Sequence, residues 1–304
     1  MKFGKLQDIS NVDFALPSSH FDNEKILTAL PKRTQKPLVF VGCTGWSMKE
    51  WVGRVYPKGT KSADYLRHYA KQFNTIELNT THYRIPNEAT ILKWKSTAPA
   101  DFQFCPKIPQ SISHSRDLGR SDENLLRFCN SINGLEAQLG CSFMQLPPYF
   151  GYERLPILER FFKRFPTHIP LAIEVRHESW FDNIAHLDAL TALCQQYNIA
   201  IVMTDVAGRR DVLHQRLTND TAMIRFVGNG LHATDYERID AWIKRLMEWF
   251  AQGLHQVYFF PHEPDNLLAP EMVEYFVEKM AVHDVIIRGP KLKDENEGSQ
   301  ISLF

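Results

Sequence analysis

Seven polar residues of this chain stand at alternate positions of short apolar runs, and their types could do chemistry together. They are Glu77 and Asn79 in TIELN, Lys107 in FQFCPK, Glu174 and Arg176 in LAIEVRH, Asp205 closing AIVMTD, and Arg225 in AMIRFV. Their neighbours of opposite parity are apolar, including Ile76, Leu78, Phe102, Phe104, Ile173, Val175, Ile224 and Phe226. Successive strand residues face opposite sides, so if helices cover the apolar set, the polar set shares the other face. Asp205 joins that set by its position at the strand end, although it shares parity with Ile201 and Met203. Two buried carboxylates, Glu77 and Glu174, can divide general acid and base work, one having its pKa raised by burial, and a sugar between them permits glycosidic cleavage. Lys107, Arg176 and Arg225 match the oxygens of a phosphate. Lys107 is also a candidate Schiff-base amine if burial lowers its pKa.

The plainer reading of three acids and three bases is a buried ion-pair network, but such a network brings doubtful stability, which favours function. A metal version would take Glu77, Glu174, Asp205 and His262 as ligands of a divalent ion. Lys107 and two arginines in the same interior, with no dense ligand spacing, make a metal-free and cofactor-free site the primary expectation. Aromatic rings follow the same strands: Trp46, Trp51, Tyr56, Tyr83 and Trp180. Flat rings beside charges suit a sugar or an unstacked base. Gln145 before Pro147-Pro148 offers a neutral hydrogen-bonding group, and His114 in the SISHS loop is the best histidine candidate.

These residues need a frame, and the chain alternates β-rich runs with amphipathic stretches. Strands are expected at 38–45, 75–81, 102–109, 141–148, 171–177, 199–206, 221–228 and 256–262, separated by helical segments such as SADYLRHYAKQF and YERIDAWIKRLMEWFAQG. Strands joined by single helices run parallel, and eight such units predict a single (β/α)8 TIM-like barrel with its site at the strand C-termini. No GxGxxG or GxxxxGK[ST] follows a strand, which weakens a nucleotide-binding reading. The barrel is expected over 37–285, with an N-terminal extension over 1–36 and a flexible C-terminal tail over 286–304. A formal net charge of zero over 304 residues counts against a simple DNA-coating protein but not against a local basic cleft. Five cysteines without CxxC spacing read as reduced thiols, and the absence of an apolar leader or membrane span points to a cytoplasmic protein.

In order along the chain, GCTGW (42–46), Trp51 to Pro57, YLRHYAKQFNTIELNTTHYRIP (65–86), FQFCPKIPQSISH (102–114), MQLPP (144–148), AIEVRHESW (172–180) and the Asp205 strand together resemble the YecE-like family, domain of unknown function 72. The resemblance runs from about residue 38 to about 280 and implies a TIM-like barrel without an established reaction. The family's motif residues fall on Gly45, Trp46, Glu77, Asn79, Tyr83, Lys107, His114, Gln145, Pro147, Glu174, Arg176, Trp180, Asp205 and Arg225. The family's R-x-H-G after strand seven is Arg225-Phe226-Val227-Gly228 here, without the histidine. The phrase after strand eight is FFPHEPDN, with His262 and Glu263 as substitutes.

The expected function is therefore a hydrolase or lyase on a phosphate- or sugar-containing substrate, DNA included. A non-catalytic ligand-binding adaptor is the alternative. QISLF, Gln300 to Phe304, resembles the Q-L-S/D-L-F peptide with which bacterial replication and repair proteins grip the sliding clamp. Leu303 and Phe304 would fill an apolar pocket and Gln300 would make directed hydrogen bonds, with the polar stretch before them supplying reach.

Overall fold

The computed structural model describes residues 3–32, 34–120 and 123–292. Eight strands fall inside the runs expected for them: β1 (Leu38–Val41), β2 (Thr75–Leu78), β3 (Gln103–Pro106), β4 (Ser142–Gln145), β5 (Leu171–Glu174), β6 (Ala200–Asp205), β7 (Thr221–Val227) and β8 (Gln256–His262). A ninth, β9 (Ile286–Ile287), follows. The helices are α1 (Asp22–Thr28), α2 (Tyr65–Gln72), α3 (Thr80–Tyr83), α4 (Glu88–Thr97), α5 (Gln110–Ser113), α6 (Asn124–Asn133), α7 (Leu155–Arg164), α8 (Ile184–Gln196), α9 (Ala233–Gln252) and α10 (Ala269–Met280). Apolar spacing explains the long ones. In α9, Ile239, Trp242, Ile243, Leu246, Trp249 and Phe250 recur at three or four residues and are buried. His232 and Asp235 close its first turn as a reciprocal cap.

The strands form a seven-stranded parallel sheet in the order β4-β5-β6-β7-β8-β1-β9 and a separate β2-β3 pair. The fold is thus α/β with a mostly parallel sheet. The described residues do not form one continuous closed ladder, in contrast to the sequence expectation. The physical reason lies at two seams. Between β1 and β2 the Asn74 side chain accepts from Val41 N–H (2.9 Å) and donates to Val39 O (2.8 Å). The Tyr69 hydroxyl accepts from Cys43 N–H (2.7 Å) and donates to Thr75 O (3.0 Å). Side chains thereby replace ladder bonds, and Gly42 permits the approach, since a Cβ there would lie 2.0 Å from Thr75 O. Between β3 and β4, Gly140 N–H to Phe104 O and Ile108 N–H to Phe143 O, both 2.8 Å, accompany two isolated bridges.

Alternate strand residues segregate as their parity requires. Ile76, Leu78, Phe104, Ile224 and Phe226 pack with helix residues such as Tyr69 and Trp242, and Ile173 and Ile201 pack with Phe161 and Leu190. The other parity contributes Cys105, Phe143, Ala172, Ala200, Val202, Met223, Tyr258 and Phe260, a compact apolar plug joined by Cys141. All five cysteines are buried and unpaired, and no helix among the described residues is long and apolar enough to cross a membrane.

The segment before β1 wraps across α9 and the loop before β7. Asn23 donates to Gln215 O (2.8 Å) and accepts from Leu217 N–H (2.8 Å), while Trp249 Nε1 donates to Ser19 Oγ (2.9 Å). Residues 286–292, read from sequence as the start of the tail, are instead tied down. β9 pairs with β1, Arg288 bonds Asp101 (2.8 Å), and Leu292 N–H bonds Glu274 (2.6 Å). Two β-branched residues find the β1 edge that β2 leaves unladdered. Gln300, Leu303 and Phe304 lie outside the described residues.

Candidate functional site

At or just past the C-terminal ends of β2 to β8, the inward parity turns from apolar to polar and yields Glu77, Lys107, Gln145, Glu174, Thr204, Arg225 and His262. Arg225 is the hub. Its Nε and one terminal nitrogen donate to the two oxygens of Glu77, each at 2.8 Å, and the other terminal nitrogen donates to Glu174 Oε2 at 2.6 Å and to Gln145 Oε1 at 3.4 Å. Glu174 Oε1 accepts from Arg176 Nε (2.7 Å) and from Thr204 Oγ1 (3.2 Å). Glu77 also accepts from Asn79 Nδ2 (2.8 Å) and lies 3.0 Å from His262 Nε2. Lys107 Nζ donates to Gln145 Oε1 at 3.2 Å, and its ammonium and the Arg225 guanidinium both lie over the Phe143 ring.

Burial and charge set the protonation. Burial alone would raise both glutamates, but Arg225 and His262 hold Glu77 well below the usual carboxylate range, and Arg176 with Arg225 holds Glu174 at about 2. Both glutamates are thus held on the ionised side, where the sequence reading expected one of them to be raised by burial. Burial and the neighbouring Arg225, partly offset by Glu77 and Glu174, bring Lys107 down to about 8. His262 is lowered by burial despite Glu77. His114 is lowered by burial and by Lys107 and Arg176. Its Nδ1 lies 2.9 Å from Ser113 Oγ, and Tyr149 donates to its carbonyl.

Other candidates fall elsewhere. Asp205 does not face this cluster. It accepts from Trp242 Nε1 (2.8 Å) and Arg238 (3.0 Å) of α9 and pairs with Arg210, because its parity follows Ile201 and Met203. Thr204 takes the inward place, a residue that the parity of Val202 would have signalled. Trp180 is fully buried with its indole N–H on Phe150 O (2.8 Å), so it is loop packing. Trp46 packs edge-on against Trp94 of α4, and Tyr83 is 75% exposed. Phe3, unremarked in the sequence, stacks on Arg176 at 4.4 Å. Arg225, expected to hold a phosphate, has its donors directed at carboxylates. The alternative metal set is not assembled: Glu77 and His262 meet, Arg225 separates them from Glu174, and Asp205 faces α9. No group of three such side chains among the described residues is placed to hold a metal ion.

A family model described as "Protein of unknown function DUF72" matches residues 40–296. UPF0759 protein YecE of Escherichia coli K12 is 30% identical over 264 residues, covering 80% of this chain and 93% of that protein. UPF0759 protein YunF of Bacillus subtilis is 28% identical over 151 residues, 47% of this chain and 52% of that protein. Crystal structures of a DUF72 family protein from Enterococcus faecalis V583 superpose with TM-scores of 0.65 and 0.62 at 18% and 19% identity. They cover 81% and 84% of this chain and 99% and 100% of theirs, which is a likeness of fold. With its strand-end cluster on the residues by which the sequence resembles that family, and with the family match spanning most of its length, the chain belongs to the DUF72 family.

Proposed function

We propose that the chain is an enzyme of the hydrolase or lyase kind acting on a sugar-containing substrate that bears an anionic group, with the polar tier of β2 to β8 as its site. The observation that carries this reading is Lys107. Two glutamates and two arginines balance one another around Arg225, and the Lys107 ammonium is one positive charge over, at the edge of the cluster. A surplus cation favours an anionic substrate. Ionised carboxylates and the half-buried amides of Asn79 and Gln145 suit sugar hydroxyls. Because both glutamates are held ionised, a two-carboxylate glycosidase arrangement fits less well, and Lys107 is the cluster's group closest to changing protonation near neutral pH. We read the two sheets as acting together as a (β/α)8 enclosure. The Asn74, Tyr69, Gly140 and Ile108 bonds across the seams support this. Five unpaired thiols fit a reducing cytoplasm.

The test is thermal-shift and calorimetric titration of the full chain with ribose 5-phosphate and with ribitol. Stabilisation by both, stronger for the phosphate, with that preference lost in Lys107→Met and binding of both reduced in Gln145→Ala, is the expected result. No binding, or binding indifferent to both variants, overturns the reading. Saturable binding with no product after long incubation across sugar phosphates, nucleosides and abasic-site DNA would favour the adaptor alternative.

A further inference from the structure

Lys107 is held in a way that a structural or purely electrostatic lysine does not require. Its ammonium meets a neutral amide oxygen, and it forms no salt bridge among the described residues. Glu77 and Glu174 are engaged by Arg225 and Arg176, so their negative charge is already matched. The residue is 7% exposed, above the Phe143 ring, with its backbone pinned by Leu78 O (3.2 Å) and Thr81 Oγ1 (2.7 Å). A buried ammonium crowded by a guanidinium and lacking a paired carboxylate is destabilised relative to the free amine, consistent with its lowering to about 8.

We infer that Lys107 is a nucleophile that condenses with the carbonyl carbon of an open-chain aldehyde or ketone sugar to form an imine. The inference rests on the sugar-substrate reading above and names its reacting group. The unprotonated Nζ gives its electron pair to the carbonyl carbon, and the C=O pair moves to oxygen, which takes a proton. The carbinolamine then loses water as the nitrogen pair forms C=N and the amine protons depart with the leaving oxygen and solvent. Protonation of the imine gives an iminium. Its positive charge sits beside Glu77 and Glu174, and it draws electrons from an adjacent C–H or C–C bond, as a lyase requires. Gln145 Oε1 orients Nζ towards the incoming carbon. Neither glutamate has to change protonation, which agrees with their tight pairing.

The experiment incubates the full chain with glycolaldehyde and sodium cyanoborohydride, which reduces C=N by hydride addition, and quantifies lysine peptides by mass spectrometry. Lys107 is expected to be alkylated at least about 10-fold faster than exposed Lys71 at pH 7.5, since its lowering to about 8 leaves a sizeable share of Lys107 as free amine at that pH. The rate should rise to a midpoint near pH 8, and ribitol, which has no carbonyl, should slow it. Lys107→Arg, with circular dichroism and melting temperature checked, should lose that adduct and keep the label on Lys71. Labelling of Lys107 no faster than Lys71 overturns the imine. If ribitol still raises the melting temperature in that case, the sugar reading survives, and if ribitol has no effect, both fall.

Discussion

Replacing Arg225 by methionine would leave Glu77 and Glu174, each almost without solvent exposure, short of the guanidinium that bridges them. Breaking a buried pair from one side exposes the uncompensated charge of the other, so the variant should lose about 3–5 kcal/mol in urea unfolding. A loss under about 1 kcal/mol would show that the bridge is not what neutralises the glutamates. The same bridge makes a pH signature. Glu174 is depressed from 4.5 to about 2 in the folded chain, so its stabilisation is complete above pH 4.5 and disappears as pH falls towards 2. About 3 kcal/mol is involved. The stability advantage of the wild type over Glu174→Gln should therefore shrink steadily between pH 5 and 2, and a constant gap would contradict this assignment. Parity made Glu77, Lys107, Glu174 and Arg225 legible in the sequence, because the apolar side of each strand identified the other. Asp205 shows what parity loses when overruled by strand-end position. The choice of Arg225 as hub was not legible, since it depends on distances between strands 148 and 51 residues apart along the chain.

At the scale of elements, the β1–β2 seam controls whether the tier of polar residues holds together, since β2 carries Glu77 and is not laddered to β1. Gly42→Ala places a Cβ 2.0 Å from Thr75 O and 2.9 Å from the Tyr69 hydroxyl that bonds both strands. Backbone on both sides cannot give way cheaply, so a loss of about 3 kcal/mol is expected, read as a lowered melting temperature. An unchanged melting temperature would mean that the seam is looser than these bonds require. Each strand was recognisable from its own apolar alternation, a local signal. The seams were not, because Asn74 and Tyr69 look like ordinary loop and helix residues until β1 and β2 are side by side. β9 was missed for a related reason. Two isoleucines are too short a run to read as a strand, and only the free edge of β1 gives Ile286 and Ile287 a partner.

Across the whole molecule, the strand-end site, the wrapping N-terminal segment and the closing QISLF answer to different forces. The N-terminal segment is anchored by specific bonds, with Asn23 holding Gln215 and Leu217 and with Arg245 donating to Pro17 O at 2.9 Å. The sequence marks it only as a stretch poor in periodicity, and these contacts join residues about two hundred positions apart, which leaves no local trace. For QISLF the argument is one of pattern and reach. Asp294, Glu295, Asn296 and Glu297 precede an apolar triad of Ile301, Leu303 and Phe304, and acidic, amide and glycine residues do not supply a buried surface of their own. In a partner groove Leu303 and Phe304 would fill an apolar pocket and Gln300 would set direction. We propose the bacterial sliding clamp as that partner, which would bring the site to DNA. A peptide of residues 295–304 should bind purified clamp at roughly micromolar strength in fluorescence anisotropy, the usual range for short motifs. Full-length chain should compete, whereas Leu303→Ala with Phe304→Ala should not. Binding that survives both substitutions would place the contact elsewhere, and no binding by either peptide or full chain would remove the clamp from the account while leaving the Lys107 chemistry untouched.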